Sequence, residues 1–178
     1  MMARLLIKGL LRPLTESGPG ADPVASEELA RLAAQLGQAA RRRLGRSLSI
    51  RQIDAGSCNA CELEINALGN SYYDLERFGL RFVASPRHAD VLLVTGPVTK
   101  NMREALERTY QATPNPKWVV AAGDCAVGCG MFSESYACVG GVSKVVPVDV
   151  RIPGCPPSPT QLLAGLLSLM EVSAGKRP

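Results

Sequence analysis

The sequence predicts an α/β fold, with a mostly parallel sheet covered by helices on both faces. Short apolar runs alternate along the chain with segments of helical periodicity, which is typical of this class. The chain has 178 residues and 46% of them are hydrophobic, enough for the core of one domain. Cysteine-containing loops directly follow three of the apolar runs, and ligands collect where parallel strands end. We therefore expect the functional site at the carboxyl edge of the sheet.

The elements of this fold can be placed in order, in a domain that comprises residues 47–178. Strands separated by helices need crossover connections, which make the strands parallel and cover both faces of the sheet. The strands are expected at Leu48–Ile53, Leu80–Ala84, Val91–Val94, Trp118–Ala122 and Val145–Val150. The helices are expected at Glu62–Leu68, Asn101–Tyr110 and Thr160–Val172.

Residues 1–46 are predicted to be an N-terminal helical extension with a linker, outside that domain. Ala3–Leu14 has leucines on one helical face, and it can pack on a partner, a membrane interface or its own domain. Thr15–Pro23 has the composition of a linker. Ser26 is placed to cap a second amphipathic helix, and Arg41–Arg43 in its last turn suit the helix dipole.

Composition and charge exclude several classes of protein. The net charge of +4 is mild and only 4% of residues are aromatic, so no nucleic-acid partner is predicted. The sequence contains no uncharged apolar run of about 18 residues that would span a membrane. It also shows no secretory signal pattern, so a cytoplasmic location is expected. In that compartment the six cysteines are more typical of a metal site than of disulfides.

Four cysteines are predicted to form the functional site. Cys58 and Cys61 form a Cys-x-x-Cys pair after the first strand, and Cys125 and Cys155 each follow a later apolar run. An iron–sulfur cubane requires four thiolates, which can come from distant parts of a chain. In each of these three loops a glycine lies one or two residues before the first cysteine. A glycine there lets backbone N–H groups approach the sulfurs. These glycines are Gly56, Gly123 and Gly154.

The residues alone leave two other uses of these thiols open. Cys125 and Cys129 can complete a four-thiolate zinc site with the Cys-x-x-Cys pair, without Cys155. A Cys-x-x-Cys pair can also exchange disulfides. Cys129 is treated as a second-choice ligand, and Cys138 is predicted to be a small packing residue.

Several separated motifs resemble those of the 20 kDa subunit family of respiratory complex I, which includes small subunits of membrane-bound [NiFe] hydrogenases. These motifs are Asp54–Ile65 (D-A-G-S-C-N-A-C-E-L-E-I), Ala84–Gly96 (A-S-P-R-H-A-D-V-L-L-V-T-G), Gly123–Gly130, and Val146–Pro157 (V-P-V-D-V-R-I-P-G-C-P-P). The resemblance covers roughly residues 47–172. It implies a flavodoxin-like fold that holds one [4Fe-4S] cluster on Cys58, Cys61, Cys125 and Cys155.

The first cysteine motif separates the branches of this family. Quinone-reducing complex I subunits have two adjacent cysteines there, whereas Cys58-Asn59-Ala60-Cys61 is similar to the hydrogenase branch. The resemblance therefore implies an electron-transfer subunit of an energy-converting [NiFe] hydrogenase or formate hydrogenlyase-type complex. Hydrogenase activity is expected only together with a large subunit. The alternatives are a complex I-type subunit that passes electrons to quinone and a zinc-stabilised structural module.

The same resemblance implies partners and a location. The expected partners are a hydrogenase large (catalytic) subunit, a ferredoxin-like iron–sulfur subunit and the membrane subunits of the same complex. The complex is expected to lie on the cytoplasmic face of the inner membrane, with this chain peripheral to it.

Four further residues near these motifs receive predictions. Glu64 matches an acidic position of the family, where it can tune the cluster, relay protons or favour the helix dipole. Glu62 is predicted to be a surface acid in the first helical turn. Arg87 is predicted to form a structural ion pair, with an interface role as the alternative. His88 is predicted to be a surface or packing residue.

Overall fold

The computed structural model describes residues 23–172, which form a five-stranded sheet with helices on both faces. The strands are β1 (Leu48–Asp54), β2 (Leu80–Phe82), β3 (Val91–Thr95), β4 (Val98–Thr99), β5 (Trp118–Ala122), β6 (Cys138–Gly140) and β7 (Val150–Ile152). The helices are α1 (Pro23–Leu44), α2 (Ala60–Ala67), α3 (Lys100–Ala112), α4 (Asp124–Gly128) and α5 (Pro159–Val172). Short 3-10 turns occupy Leu75–Phe78, Pro86–His88, Gly130–Phe132 and Val142–Lys144.

The sheet has the strand order β2-β1-β3-β5-β7, and each neighbouring pair in it is parallel. Counted along the chain, this is the order 2-1-3-4-5 of flavodoxin-like doubly wound sheets. Strands β3 and β5 are buried at every position, as expected for strands covered on both faces. The predicted α/β fold with a mostly parallel sheet is therefore confirmed.

Apolar side chains form a buried layer on each face of the sheet. On one face, α1, α2 and α5 contribute Leu36, Ile65 and Leu166. On the other face, α3 and α4 contribute Leu106 and Ala126. The helices on both faces that the sequence predicted are present.

Helix α1 packs within the first of these layers. Its buried face repeats every three or four residues, at Leu29, Ala33, Leu36 and Ala40. Near its end, Arg43 donates a hydrogen bond of 2.7 Å to the carbonyl of Met170 in α5. The expected boundary between residues 1–46 and 47–178 thus does not coincide with a gap in the packing. Independent folding of residues 47–178 stays a prediction.

Helix α1 also begins earlier than predicted. Its first residue is Pro23, so Ser26 lies inside the helix and is not its cap. Proline is well suited to the first turn because that turn leaves backbone N–H groups unused. The helix predicted at Ala3–Leu14, and most of the linker after it, lie outside the described residues.

The strand predicted at Val145–Val150 is wrong. The N–H groups of Val145 and Val146 instead donate to the carbonyl of Val142, at 2.9 and 3.0 Å. Pro147 follows and has no N–H for a sheet ladder. Strand β7 therefore begins only at Val150, beside β5.

Two small elements were not predicted from the sequence. Strands β4 and β6 form a separate antiparallel pair, and α4 is a short helix that begins directly after β5. Strand β4 has two residues and α4 has five, so neither is long enough to show a clear periodicity. Between Pro23 and Val172, no helix has the length and apolar character needed to cross a membrane.

Candidate functional site

The four cysteines predicted to act together lie at the carboxyl edge of the sheet. Cys58 and Cys61 follow β1, Cys125 follows β5 and Cys155 follows β7. Strand β3 alone separates β1 from β5, and β7 is the next neighbour of β5. Because these strands are parallel, their carboxyl ends bring all three loops to the same edge.

The thiol groups are close enough to influence one another electrostatically. The pKa of Cys61 is raised to about 11, first by burial, then by Glu62, and then by Cys125, Cys58 and Cys155. The pKa of Cys125 is also raised, first by burial and then by Cys155 and Cys58. These interactions connect the four side chains into one cluster of thiols, which we call the thiol group.

The four thiols differ in their access to solvent. Cys61 is buried, Cys125 is half-buried, and Cys58 and Cys155 are exposed. The thiol group therefore has an inner wall against the sheet and an open outer side. All six cysteines of the chain are free thiols in the structure.

Two glycines allow the loops to approach this closely. A methyl group on Gly123 would lie 2.6 Å from Sγ of Cys61, and the positive φ of 94° at Gly123 also favours glycine. A methyl group on Gly96, at the end of β3, would lie 2.6 Å from the backbone nitrogen of Ser57. Glycine at these positions lets the first cysteine loop cross the end of β3 and reach the loop after β5.

Hydrogen bonds fix the loops that carry Cys125 and Cys155 to each other. The N–H of Asp124 donates to the carbonyl of Gly154 at 2.9 Å, and the N–H of Gly154 donates to Oδ1 of Asp124 at 2.8 Å. Asp124 thus acts as both donor and acceptor toward the same residue. This pairing holds the two cysteines at a fixed separation.

The loop of the Cys-x-x-Cys pair is held by its own side chains. Oδ1 of Asp54 accepts hydrogen bonds from the N–H groups of Gly56 and Ser57, at 2.7 and 2.8 Å. Oγ of Ser57 accepts from the N–H of Asn59 at 3.0 Å. Asp54 is the last residue of β1, so the loop is anchored directly to the sheet.

The predicted surface position of Glu62 is wrong. It was expected at the surface, but it is only 5% exposed. Oγ of Ser57 donates to its Oε2 at 2.5 Å, while its buried Oε1 has no hydrogen-bond partner within the described residues. A first-turn acid is usually solvated, and only Ser57 five residues earlier could have indicated this contact. Glu64, which matches an acidic position in the family that the motifs resemble, is half-buried.

Cys129 and Cys138 form a separate contact. The pKa of Cys129 is raised first by burial and then by the neighbouring thiol of Cys138. Cys129 does influence Cys125, but it is not among the thiols that influence Cys61. Across residues 23–172, no three His, Cys, Asp or Glu side chains are arranged to hold a single metal ion.

The structure does not show the ion pair predicted for Arg87 among the described residues. Arg87 is exposed, and its side chain has no ion pair with any described residue. Asp90 of the same motif pairs instead with Arg46, at 2.5 and 2.9 Å. His88 is exposed, so its predicted surface position is confirmed.

The flavodoxin-like sheet and the thiol group at its carboxyl edge define an α/β protein whose candidate site consists of four cysteine side chains. A family model described as NADH ubiquinone oxidoreductase, 20 Kd subunit, matches residues 58–169. The chain belongs to this family, which confirms the resemblance found in its sequence motifs.

Two relatives of the chain are named as subunits of a formate hydrogenlyase and of a membrane-bound hydrogenase. Over 93% of its length it is 41% identical to formate hydrogenlyase subunit 7 of Escherichia coli (strain K12), of which it spans 64%, less than two thirds. Over 72% of its length it is 46% identical to the probable membrane-bound hydrogenase subunit mbhJ of Pyrococcus furiosus, of which it spans 77%.

A solved structure of a membrane complex also contains a chain that is similar to this one. It is the membrane-bound sulfane sulfur reductase, described as an archaeal respiratory membrane complex. One of its chains matches with a TM-score of 0.63 and 35% identity, over 78% of this chain and 74% of that one.

Proposed function

We propose that this chain is an electron-transfer subunit that carries one [4Fe-4S] cluster on Cys58, Cys61, Cys125 and Cys155. The observation that carries the proposal is the convergence of these four thiols, from three loops, at one edge of the sheet. A cubane cluster takes one thiolate at each of four irons, which fits this number of thiols. When bound, the cluster supplies one-electron redox chemistry.

A cluster and a single zinc ion require different spacings of the four thiolates. Four thiolates on one zinc ion lie about 3.8 Å apart, since each Zn–S bond is about 2.3 Å long. No group of described side chains is arranged to hold a single ion. Thiolates that bind different irons lie further apart, so this geometry is compatible with a cubane. The contact of Cys129 with Cys138 also supports a ligand set that excludes Cys129.

The chain's own residues would position and tune the group. Gly123 leaves space for the sulfur of Cys61, and Asp124 fixes the loop of Cys155. The buried Cys61 lowers solvent access on the inner side, and solvent exposure is one of the factors that set the potential of such clusters. The carboxyl group of Glu62 adds negative charge next to Cys61.

We further propose that the complex is of the membrane-bound [NiFe] hydrogenase or formate hydrogenlyase type. The spacing Cys58-Asn59-Ala60-Cys61 and the names of the relatives support this assignment. The large catalytic subunit would cover the open side of the thiol group, where Cys58 and Cys155 are exposed. A ferredoxin-like subunit and membrane subunits would complete the complex, on the cytoplasmic face of the inner membrane.

The likeness to a chain of the sulfane sulfur reductase supports a second candidate. In that case the same electron-carrying chain would serve a reductase with no nickel centre. The quinone-linked alternative is less favoured, because the two cysteines of the first motif are not adjacent. The cluster proposal is common to all three cases.

Anaerobic purification of the chain tests the cluster. We expect about four iron and about four sulfide per chain, with a brown colour that dithionite bleaches. Zinc without visible absorption would contradict the proposal.

Isolation of the complex through a tag on this chain tests the partner. We expect a copurifying large subunit, stoichiometric nickel, and hydrogen evolution from reduced methyl viologen. A nickel-free complex that reduces polysulfide would support the second candidate and contradict the hydrogenase assignment.

A further inference from the structure

A positively charged pocket lies at the amino edge of the sheet, opposite the thiol group. It has a volume of about 300 Å³ and is lined by Arg46, Arg81, Arg87, His88, Ala89 and Pro114. These residues precede or begin β1, β2, β3 and β5, whereas the four thiols follow the ends of strands. The pocket is therefore separate from the site already described.

Two of the three guanidinium groups are held in place by buried partners. Arg46 donates to both carboxylate oxygens of Asp90, at 2.5 and 2.9 Å. Asp90 is 4% exposed and also accepts a hydrogen bond of 3.0 Å from the N–H of Ser49. Nε of Arg81 donates to Oγ of the fully buried Ser49 at 3.1 Å. Both side chains are thus oriented before any ligand arrives.

The positive charge in the pocket is not balanced by the described part of the chain. Arginine is protonated at any ordinary pH, so the lining carries three positive charges. Asp90 offsets one of them and uses both of its oxygens to do so. The exposed side chain of Arg87 has no carboxylate partner among the residues in the structure. An excess of two positive charges therefore faces solvent in a concave site.

We propose that this pocket binds a phosphate group. The planar fork of a guanidinium group matches the oxygen spacing of phosphate, and bidentate pairs of this kind are strong and specific. A soluble phosphate dianion would balance the excess of two positive charges, and the phosphodiester of a phospholipid headgroup, a monoanion, would balance one of them. The ligand is either the headgroup of an anionic phospholipid or a soluble phosphate compound.

The proposal is independent of the redox function, because its residues lie at the other edge of the sheet. The test uses the full-length chain and two probes: pyrophosphate in a calorimetric titration, and sedimentation with vesicles of phosphatidylcholine with or without phosphatidylglycerol. The variants are Arg87→Gln and Arg81→Gln. Both positions are exposed, and a melting curve checks that each variant folds like the parent.

Arg103→Gln is the matched control. It removes the same charge from an exposed side chain in α3, where Arg103 pairs with Glu107 outside the pocket. We expect Arg87→Gln to weaken pyrophosphate binding about tenfold, as for loss of a charge-assisted hydrogen bond. For vesicles we expect a loss of about fivefold, the usual effect of one arginine near an anionic surface.

Binding of vesicles that contain phosphatidylglycerol would identify a lipid headgroup as the ligand. Binding of pyrophosphate without vesicle binding would identify a soluble phosphate. The proposal is overturned if neither probe binds, or if Arg103→Gln weakens binding as much as Arg87→Gln does.

Discussion

Gly123 leaves the space that Sγ of Cys61 occupies. A methyl group on Gly123 would lie 2.6 Å from that sulfur, which is far inside van der Waals contact. The two residues belong to different loops, after β5 and after β1. Their contact is therefore the point at which the two parts of the thiol group meet.

We predict that Gly123→Ala lowers the iron and sulfide content of the chain at least severalfold. The added methyl group must displace the sulfur of Cys61 or the loop after β5, and the positive φ of 94° adds strain. Iron and acid-labile sulfide are measured after anaerobic reconstitution. Gly128→Ala is the control, because a methyl group there would meet no atom within 4 Å. Equal cluster content in both variants would contradict the proposed role of Gly123.

The ligand set is tested by single serine substitutions. Cys58→Ser, Cys61→Ser, Cys125→Ser and Cys155→Ser are each expected to remove most of the cluster, because each takes a thiolate from one iron. Visible absorption and the iron content per folded chain are the measurements.

Cys129→Ser and Cys138→Ser are the matched controls, because these two thiols contact each other outside the group around Cys61. Both should keep a full cluster. The proposed set would be wrong if the metal survived Cys155→Ser but was lost from Cys129→Ser.

Replacement of Glu62 tests whether the buried carboxyl group tunes the proposed cluster. Glutamine can still accept the hydrogen bond from Ser57 but carries no charge. Reduction adds an electron, so removing a nearby negative charge makes it easier. Glu62→Gln should therefore raise the reduction potential, by on the order of tens of millivolts. An EPR-monitored redox titration measures this value.

Glu104→Gln serves as the control for that experiment. Glu104 is an exposed acid on α3 that pairs with Arg108, and it has no role in the thiol group. Its replacement should leave the potential unchanged. A potential that stays constant or falls in Glu62→Gln would contradict the tuning role.

The packing of α1 is tested by Leu36→Ala. Leu36 is fully buried in the layer that α1 shares with the sheet and α5. The substitution should reduce the free energy of unfolding by about 3 kcal/mol while leaving one cooperative transition. Urea denaturation followed by circular dichroism measures the change.

Leu63→Ala, at an exposed position, should cost less than about 0.5 kcal/mol. Two separate transitions in the parent chain would show instead that residues 47–178 fold without α1. That result would support the domain boundary expected from the sequence.

The sequence predicts the parts of this fold whose signals are local. The run Trp118–Ala122 has the same limits in the prediction and in the structure, because a buried central strand is apolar throughout. The position of the cysteines after strands also required only the chain order and the parallel topology. These features place the candidate site before any contact is known.

The parts that were missed depend on distant residues. Burial of Glu62 follows from the packing around the thiol group, and Asp90 pairs with Arg46, which is 44 residues earlier in the chain. The late start of β7 depends on the competing turn at Val142 together with Pro147. The residues adjacent in sequence predict neither the partner of a charged side chain nor the first residue of a short edge strand.

The open outer side of the thiol group bears on how the subunit matures. Cys58 and Cys155 face solvent in the folded chain, while Cys61 lies behind them. A cluster inserted into the folded chain would meet the two outer sulfurs first and Cys61 last. A neighbouring subunit that covers this side would then have to bind after the insertion.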